Sequence, residues 1–224
     1  MSGRLPDVRA VLFDLDGTLV DSAPDLAAAG NTLRQARGLG PLDLSVYRPH
    51  AGSGARGVLY AALGVTPDHD SFAALREEFL DAYDRHLLAH TVCFDGVDGL
   101  LARLHAGQTP WGIVTNKATR FTQPTVQAFP AFGRAAAVIC GDTTPHTKPH
   151  PAPVLAALTA AGMDARHTVY VGDDERDIQA GRAAGVRTVA AAYGYLGLGA
   201  DPVAWGADAV IHSPLELLNL LDWA

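Results

Sequence analysis

Two aspartates, Asp14 and Asp16, stand at the end of an apolar run of the sequence, residues 8–14. In a β-strand, alternate side chains point to the same side, so the two carboxylates can converge where that strand ends. The carboxyl edge of an open α/β sheet is where such folds bind ligands. Gly17 follows at once and allows a sharp turn. The spacing therefore predicts a binding or catalytic site, against the alternative that these aspartates only cap a helix.

Three other polar segments can supply parts of the same site. Thr115 and Asn116 close an apolar run and offer a hydroxyl and backbone N–H groups, and Lys148 lies just before a helix. The segment from Asp173 to Asp177 is dense in carboxylates, which at a strand end suit a hard cation with oxygen ligands. Each segment alone has a plainer interpretation: a helix cap, a solvated lysine, or an acidic helix N-terminus stabilised by the helix dipole.

The elements that must position these residues alternate along the chain. Six short apolar runs lack polar alternation, which favours strands buried on both faces of a parallel sheet. These runs cover residues 8–14, 111–116, 136–141, 167–173, 187–192 and 208–212. Segments with helical periodicity lie between them, at residues 96–106, 151–161 and 176–184. The alternation predicts a doubly wound α/β fold with a mainly parallel, Rossmann-like sheet.

A helical stretch, residues 22–92, interrupts this alternation and contains no convincing buried strand. Two sets of apolar residues each share one helix face here: Leu26, Ala29, Leu33 and Ala36, then Phe72, Leu75, Phe79 and Tyr83. A helical insertion after the first strand predicts a small cap domain at residues 22–92. The α/β catalytic core is then formed by residues 1–21 and 93–224.

The composition is that of an ordinary globular protein. The chain has 224 residues, of which 48% are hydrophobic, and its net charge is −7. Because Lys and Arg form no stripe, no nucleic-acid partner is expected. No apolar stretch approaches the ~20 residues that span a bilayer, and no apolar leader segment stands at the N-terminus, so no membrane association is expected. We predict a cytoplasmic monomer or homodimer in which Cys140 is a reduced, buried thiol.

Together, the four polar segments follow the order Asp-x-Asp, Thr, Lys and acidic cluster, each at a strand end. In this order they resemble the motifs of the haloacid dehalogenase-like hydrolase superfamily, and the resemblance spans nearly the whole chain. The inserted helices look like the smaller type of cap in that superfamily. Similarity to the phosphoglycolate phosphatase group lies in residues 21–26, 52–55 and 171–174. The chain also resembles a neighbouring branch of the superfamily, at residues 111–117, 193–195 and 205–208. That branch acts on N-acetylmuramic acid 6-phosphate in cell-wall recycling.

The resemblance implies a phosphatase that requires Mg²⁺ and forms an aspartyl-phosphate on Asp14. Asp16 would protonate the leaving group and then take a proton from the hydrolytic water. The metal would be held by the Asp14 carboxylate, the Asp16 backbone carbonyl and the Asp173 carboxylate.

The remaining core motifs have implied roles around the phosphate. Thr115 and the N–H of Asn116 would bind phosphoryl oxygens, and Lys148 would balance charge between the nucleophile and the substrate. Asp177 would orient metal-bound waters from behind the ligands. For Asp174, a metal role and a helix start remain equally open.

The cap contributes a Gly-rich loop, residues 48–57, with Arg48, His50, Ser53 and Arg56. A basic loop that opens a helix can bind an anion through its N–H groups. The alternative is a plain N-cap at Ser53 with solvated arginines. Both related groups act on molecules that carry a carboxylate and a phosphate. The resemblance therefore implies a small carboxylate-bearing phosphomonoester as substrate, with Arg56 the leading contact.

Other functions share part of this pattern. A dehalogenase would keep Asp14 but has no use for Asp16 or Mg²⁺. A phosphomutase would keep every core residue and differ only in the cap, so the motifs alone do not separate it from a phosphatase. A response-regulator-like switch also places Asp, Thr and Lys around Mg²⁺, but the inserted cap counts against it. His146 and His150 flank Lys148 in no firm ligand spacing, so we expect surface histidines.

Overall fold

The computed structural model describes residues 4–221. Its strands are β1 (Ala10–Phe13), β2 (Val20–Asp21), β3 (Val92–Cys93), β4 (Trp111–Val114), β5 (Ala137–Ile139), β6 (Thr168–Gly172), β7 (Arg187–Ala191) and β8 (Ala209–Ile211). Its helices are α1 (Ala23–Gln35), α2 (Leu44–Ala51), α3 (Gly54–Leu63), α4 (Phe72–His86), α5 (Val97–Ala106), α6 (Thr119–Ala128), α7 (Ala152–Ala161), α8 (Glu175–Ala183) and α9 (Leu217–Leu220).

Six strands form one parallel sheet in the order β5-β4-β1-β6-β7-β8. In register, Val11 of β1 lies opposite Trp111 of β4 on one side and Val169 of β6 on the other. The chain builds outward from β1 to β5, then returns to β6 and builds outward in the other direction. Ligands bind where the strand order reverses in this way. The doubly wound fold and all six predicted strands are confirmed.

The sheet is buried on both faces, which explains why its strands lack polar alternation. Phe13 packs in a core cluster with Leu100 and Leu104 of α5. Its neighbour Leu12 points the other way, into a cluster with Val154 of α7. The three predicted helices of this region correspond to α5, α7 and α8.

Four helices, α1–α4, lie between β2 and β3 and share a core of their own. Leu33 of α1 and Phe79 of α4 are buried in it, as predicted, whereas Ala36 is exposed because α1 ends at Gln35. Phe121 of α6 and Tyr195 belong to the same cluster, so the hydrophobic core of helices α1–α4 continues into residues that pack around the sheet.

A two-stranded antiparallel ribbon, β2 with β3, carries both chain connections between the cap helices and the sheet. The sequence did not predict it, because each strand has only two residues. The predicted domain division at residues 22 and 92 falls beside this ribbon and stays a prediction. Within residues 4–221, every helix is too short or too polar to cross a membrane.

Candidate active site

Three neighbouring strands end at one edge of the sheet and bring the predicted residues there. Asp14 follows β1, Thr115 follows β4 and Asp173 follows β6, and β1 lies between the other two strands. Lys148 reaches the same edge from the segment between β5 and α7. The parallel topology therefore assembles side chains that are far apart in sequence.

Asp14 and Lys148 form a buried ion pair. Lys148 Nζ lies 2.8 Å from Asp14 Oδ1, and the two side chains are 3% and 12% exposed. Burial raises the pKa of Asp14 to about 7; Lys148 opposes this rise and Asp177 adds to it. Burial also lowers the pKa of Lys148, but Asp14 and Asp177 more than offset that, so the pKa is raised and the ammonium stays charged.

The ammonium of Lys148 has further partners that fix its position. It lies 2.7 Å from Asp177 Oδ1, and it donates hydrogen bonds to the carbonyl oxygen of Val114 (3.0 Å) and to the hydroxyl of Tyr170 (2.9 Å). Tyr170 Oη in turn lies 3.0 Å from Asp177 Oδ1. Sequence reasoning missed Tyr170, because a tyrosine inside a buried strand looks like any other core aromatic residue.

Three carboxylates meet beside this ammonium. Asp14, Asp173 and Asp177 each offer one oxygen, and these oxygens lie within 4.8 Å of one another. Burial raises the pKa of Asp173 well above its ordinary value, and the negative charges of Asp14 and Asp177 add to the rise. Asp173 is held in place by Thr18 Oγ1, which donates to Oδ1 (3.0 Å), and by the N–H of Tyr195, which donates to Oδ2 (2.8 Å).

This cluster has the properties of a divalent cation site. Three carboxylates face one ammonium, and the buried Asp14 Oδ1 receives no well-aligned hydrogen bond from any residue between 4 and 221, although Lys148 lies close to it. A bound cation would provide a partner for the orphaned oxygen and would lower the raised pKa values of the carboxyl groups. The all-oxygen donor set suits Mg²⁺. Asp177 is already engaged, since its Oδ2 accepts the N–H of Asp174 (3.1 Å).

A tight turn at Gly17 brings the backbone against the carboxylate of Asp173. The residue has φ +88°, and a Cβ atom there would collide with the carboxylate of Asp173. Gly194 closes in from the other side, where a Cβ would collide with Asp173 and the carbonyl of Gly17. Only glycine fits both the backbone angle and the close approach at residue 17.

The second aspartate of the pair, Asp16, is anchored through one oxygen. Its Oδ1 accepts hydrogen bonds from Ser22 Oγ (2.5 Å) and from Lys117 Nζ (2.8 Å). Lys117 also donates to the hydroxyl of Tyr83 on α4 (2.7 Å). Burial lowers the pKa of Lys117, but Asp16 and Tyr83 raise it by more, so this ammonium is charged.

Thr115 and Asn116 have different surroundings at the end of β4. Thr115 is buried, and its Oγ1 accepts the N–H of Lys117 (3.1 Å). The Asn116 side chain bonds twice to the main chain of Lys148, at 3.0 Å to its carbonyl oxygen and at 2.9 Å to its N–H. Within the described residues, the backbone N–H of Asn116 has no acceptor, which leaves it available to a ligand.

Asp174 caps helix α8, which is one of the two roles that the sequence left open. Its carboxylate accepts the N–H of Arg176 (2.9 Å) and forms a two-point ion pair with the guanidinium, at 2.7 Å to each oxygen. Arg176 Nη2 also donates to the carbonyl oxygen of Gly52 in the cap loop (2.7 Å). Arg176 thus joins the core to the cap, a role that no sequence pattern indicated.

A cavity of about 950 Å³ is lined by Asp14 at the sheet edge and by the cap loop. Ser53 and Arg56 line it, the Ser53 side chain makes no capping bond to α3, and their contact with a substrate stays a prediction. Arg48 and His50, in the same segment, do not line it. Arg48 instead forms a two-point ion pair with Asp21, at 3.0 and 2.8 Å, because that carboxylate lies beside it on β2.

The other residues singled out in the sequence lie away from the cavity. His146 and His150 are exposed, as predicted, with ring centroids 4.2 Å apart. The ring of His50 packs on Tyr60. Cys140 is a free, buried thiol, also as predicted, and Cys93 is free and half-buried.

Comparisons with known proteins identify the family of the chain. A model of the haloacid dehalogenase-like hydrolase family matches residues 11–191. An N-acetylmuramic acid 6-phosphate phosphatase of Pseudomonas putida is 42% identical over 217 residues, 97% of each chain. A phosphoglycolate phosphatase of Xanthomonas campestris is 44% identical over 215 residues, 96% of this chain and 97% of its own. A crystal structure described as a predicted phosphoglycolate phosphatase from Haemophilus somnus superimposes with a TM-score of 0.83 at 27% identity, covering 96% of this chain and 98% of that one.

Proposed function

Because this chain belongs to the haloacid dehalogenase-like hydrolase family and is a phosphoric monoester hydrolase of that family, we propose that it is a Mg²⁺-dependent phosphatase that acts through an aspartyl-phosphate. Its substrate is a small phosphomonoester that also carries a carboxylate, as phosphoglycolate does. The buried pair of Asp14 and Lys148 at the switch point of the sheet is the observation that carries this proposal.

Asp14 is the nucleophile. A carboxylate oxygen of Asp14 attacks phosphorus, the bond from phosphorus to the leaving oxygen breaks, and Asp16 gives that oxygen a proton. In the second half, Asp16 takes a proton from water, the water oxygen attacks phosphorus, and the bond to Asp14 breaks. Each half-reaction transfers one phosphoryl group and one proton, so Asp16 returns to its starting state.

The phosphoryl oxygens are bound by groups at the end of β4. Thr115 contributes its hydroxyl, and Asn116 contributes the backbone N–H that has no acceptor among the described residues. Lys148 lies against Asp14 and offsets the negative charge that accumulates as an anionic nucleophile approaches an anionic phosphate. Asn116 also holds Lys148 in position through two bonds to its main chain.

The residues that would hold Mg²⁺ are the carboxylates of Asp14 and Asp173 and the backbone carbonyl of Asp16. Within residues 4–221 this carbonyl accepts no hydrogen bond, so its lone pairs are available. When bound, the metal supplies positive charge that reduces the repulsion between nucleophile and phosphate. Asp177 supports the site from behind, since its oxygens already bond Lys148, Tyr170 and Asp174.

We assign recognition of the substrate carboxylate to the cationic residues of the cavity wall that form no ion pair with a protein carboxylate. The cationic residues lining the cavity are Arg56, Arg76, Lys117, Arg120, Lys148 and Arg176. Four of them pair with a protein carboxylate: Arg76 with Glu77, Lys117 with Asp16, Lys148 with Asp14 and Arg176 with Asp174. Within the described residues, Arg56 and Arg120 have no such partner. Arg56, on the cap, is therefore the leading contact for the substrate carboxylate.

A second candidate substrate, N-acetylmuramic acid 6-phosphate, is favoured by the size of the cavity. A volume of about 950 Å³ lies at the upper end of the range for pockets that enclose drug-sized ligands. Phe72 and Leu80 of the cap add apolar surface to its wall. Phosphoglycolate would fill little of this space, whereas an acylated sugar acid would contact the apolar wall.

The experiment that tests the proposal is an assay of net phosphate release with Mg²⁺ on 2-phosphoglycolate, N-acetylmuramic acid 6-phosphate and a neutral sugar phosphate. We expect release from at least one of the two acids, with a higher kcat/KM than for the neutral compound. Isomerised sugar phosphate without free phosphate would identify a mutase, and equal release with and without metal would exclude the metal role.

A further inference from the structure

Lys117 is a buried cation for which the reaction proposed above has no use. Its side chain is only 8% exposed, and its ammonium lies between the core and the cap. It donates to Asp16 Oδ1 at 2.8 Å and to the hydroxyl of Tyr83 at 2.7 Å. Burying a lysine in this way costs free energy unless partners compensate, so both partners are needed where they are.

The two oxygens of Asp16 have unequal surroundings. Oδ1 accepts hydrogen bonds from both Lys117 and Ser22. Among residues 4–221, nothing donates to Oδ2. A carboxyl group that must give and take a proton needs one free oxygen. Two donors on Oδ1 restrict the rotation of the Asp16 carboxylate and leave Oδ2 free for proton transfer.

Tyr83 holds the outer end of this arrangement on the cap. Its ring is stacked on Phe79 of the same helix with centroids 6.1 Å apart, and it packs against Phe121 of the core at 5.0 Å. The ammonium of Lys117 also lies 5.0 Å from the centroid of the Tyr83 ring, within the range of a cation–π contact. The position of helix α4 therefore determines where Lys117 finds its second partner.

We propose that Lys117 is a positioning residue for Asp16, and that Tyr83 holds Lys117 in place only while the cap lies against the core. The proposal rests on the acid–base role of Asp16 in the proposed function. It assigns to the cap a part in the proton-transfer step in addition to substrate contact.

The test measures the rate of the first step, in which the leaving group departs and Asp14 is phosphorylated. It compares an alkyl phosphate, whose leaving group needs a proton, with an aryl phosphate whose activated leaving group does not. A catalytic group displaced by about 1 Å can lose roughly 10²-fold in rate. We expect Lys117→Met to slow the first step for the alkyl phosphate by about this factor, to slow it much less for the aryl phosphate, and to leave KM nearly unchanged. Tyr83→Phe keeps the ring and removes the hydroxyl, so it should show a smaller loss with the same leaving-group preference.

Arg37→Met is the matched control. Like Lys117, Arg37 contacts helix α4, here through an ion pair with Glu78 at 2.9 and 2.6 Å, but it does not line the cavity. This variant should lose stability alone, with unchanged rates for both substrates. Lys117→Arg keeps the charge and should restore part of the lost alkyl phosphate rate. If Lys117→Met does not fold, Lys117→Arg and Tyr83→Phe carry the same comparison.

The outcomes separate this proposal from the proposed function. If Asp16→Asn shows the leaving-group preference and Lys117→Met and Tyr83→Phe do not, Asp16 keeps its role and the positioning role of Lys117 is wrong. An equal loss in the first step for both substrates in Lys117→Met, or an increase in rate, would also overturn it. If Asp16→Asn itself shows no preference, the acid role fails, and the Lys117 proposal fails with it.

Discussion

The ammonium of Lys148 lies 2.8 Å from Asp14 Oδ1 in a part of the molecule where both side chains are almost fully buried. Burial favours the protonated form of Asp14, and although Lys148 opposes this, the pKa of Asp14 is still raised to about 7. The carboxylate of Asp14 therefore depends for its negative charge on a lysine that Asp177, Tyr170 and a backbone carbonyl hold in place.

The first prediction concerns Asp14. Asp14→Asn keeps the shape of the side chain and removes its negative charge, so phosphate release should fall to the background rate while the fold is retained. Steady-state assays beside circular dichroism would check this. Undiminished turnover by the folded variant would show that another group attacks phosphorus.

The second prediction concerns Asp16 as acid and base. Asp16→Asn should slow both formation and breakdown of the phosphoenzyme by ~10²–10⁴-fold. Activated leaving groups need less protonation, so the first step should be affected less for them. Rapid-quench measurements on a series of aryl phosphates would test this, and a first-step loss that is the same for good and poor leaving groups would argue against the assignment.

The third prediction concerns the metal. Chelation should stop activity and added Mg²⁺ should restore it, because three carboxylates within 4.8 Å of one another need positive charge. Asp173→Ala should weaken Mg²⁺ binding, as measured by calorimetry. The matched control is Asp174→Ala, which removes a helix N-cap and should cost about 1 kcal/mol of stability with Mg²⁺ affinity unchanged. Weakened binding in Asp174→Ala but not in Asp173→Ala would mean that the ligand is misassigned.

The fourth prediction concerns substrate choice. Arg56→Ala should lower kcat/KM for the carboxylate-bearing substrate and leave generic aryl phosphates nearly unaffected, since a charge-assisted pair is lost only with the acid. Arg85→Ala, which removes an exposed cation of α4 outside the cavity, is the control and should change neither. The role of the cap would be contradicted if neutral sugar phosphates were hydrolysed as well as either acid, or if Arg56→Ala had no effect.

The fifth prediction separates backbone strain from crowding at the metal site. Gly38 and Gly17 both have positive φ, +70° and +88°, but only at Gly17 would a Cβ meet other atoms within 4 Å. Gly38→Ala should therefore cost about 1–2 kcal/mol of stability, from the left-handed backbone alone. Gly17→Ala should cost more and should also weaken Mg²⁺ binding, because the methyl group displaces Asp173. Equal unfolding free energies for the two variants would show that the turn relaxes freely.

Much of the fold and the core of the site could be predicted from the sequence. Strands such as β1 are buried on both faces, so their apolar runs stand out, and polar residues at their ends mark the edge where Asp14, Thr115 and Asp173 meet. The ribbon of β2 and β3 could not be predicted, because two residues per strand give no periodicity.

Side-chain contacts between segments that are distant in sequence could not be predicted either, and the reason is different. The pairing of Arg48 with Asp21, and of Lys117 with Tyr83, depends on how the cap packs on the core. In the sequence Lys117 looks like a solvated lysine, and Tyr170 like a core aromatic. Such residues gain their roles only from tertiary structure.

The most direct test of the central claim is to trap the phosphorylated aspartate. In the Asp16→Asn protein, an activated aryl phosphate should phosphorylate Asp14 faster than water releases the phosphoryl group. We predict a burst of aryl alcohol that approaches one equivalent of enzyme, and a hydroxylamine-sensitive phosphoryl group on the peptide that contains Asp14, seen by mass spectrometry after acid quench. Turnover with no burst and no bound phosphoryl group, or a phosphoryl group on another residue, would contradict the account.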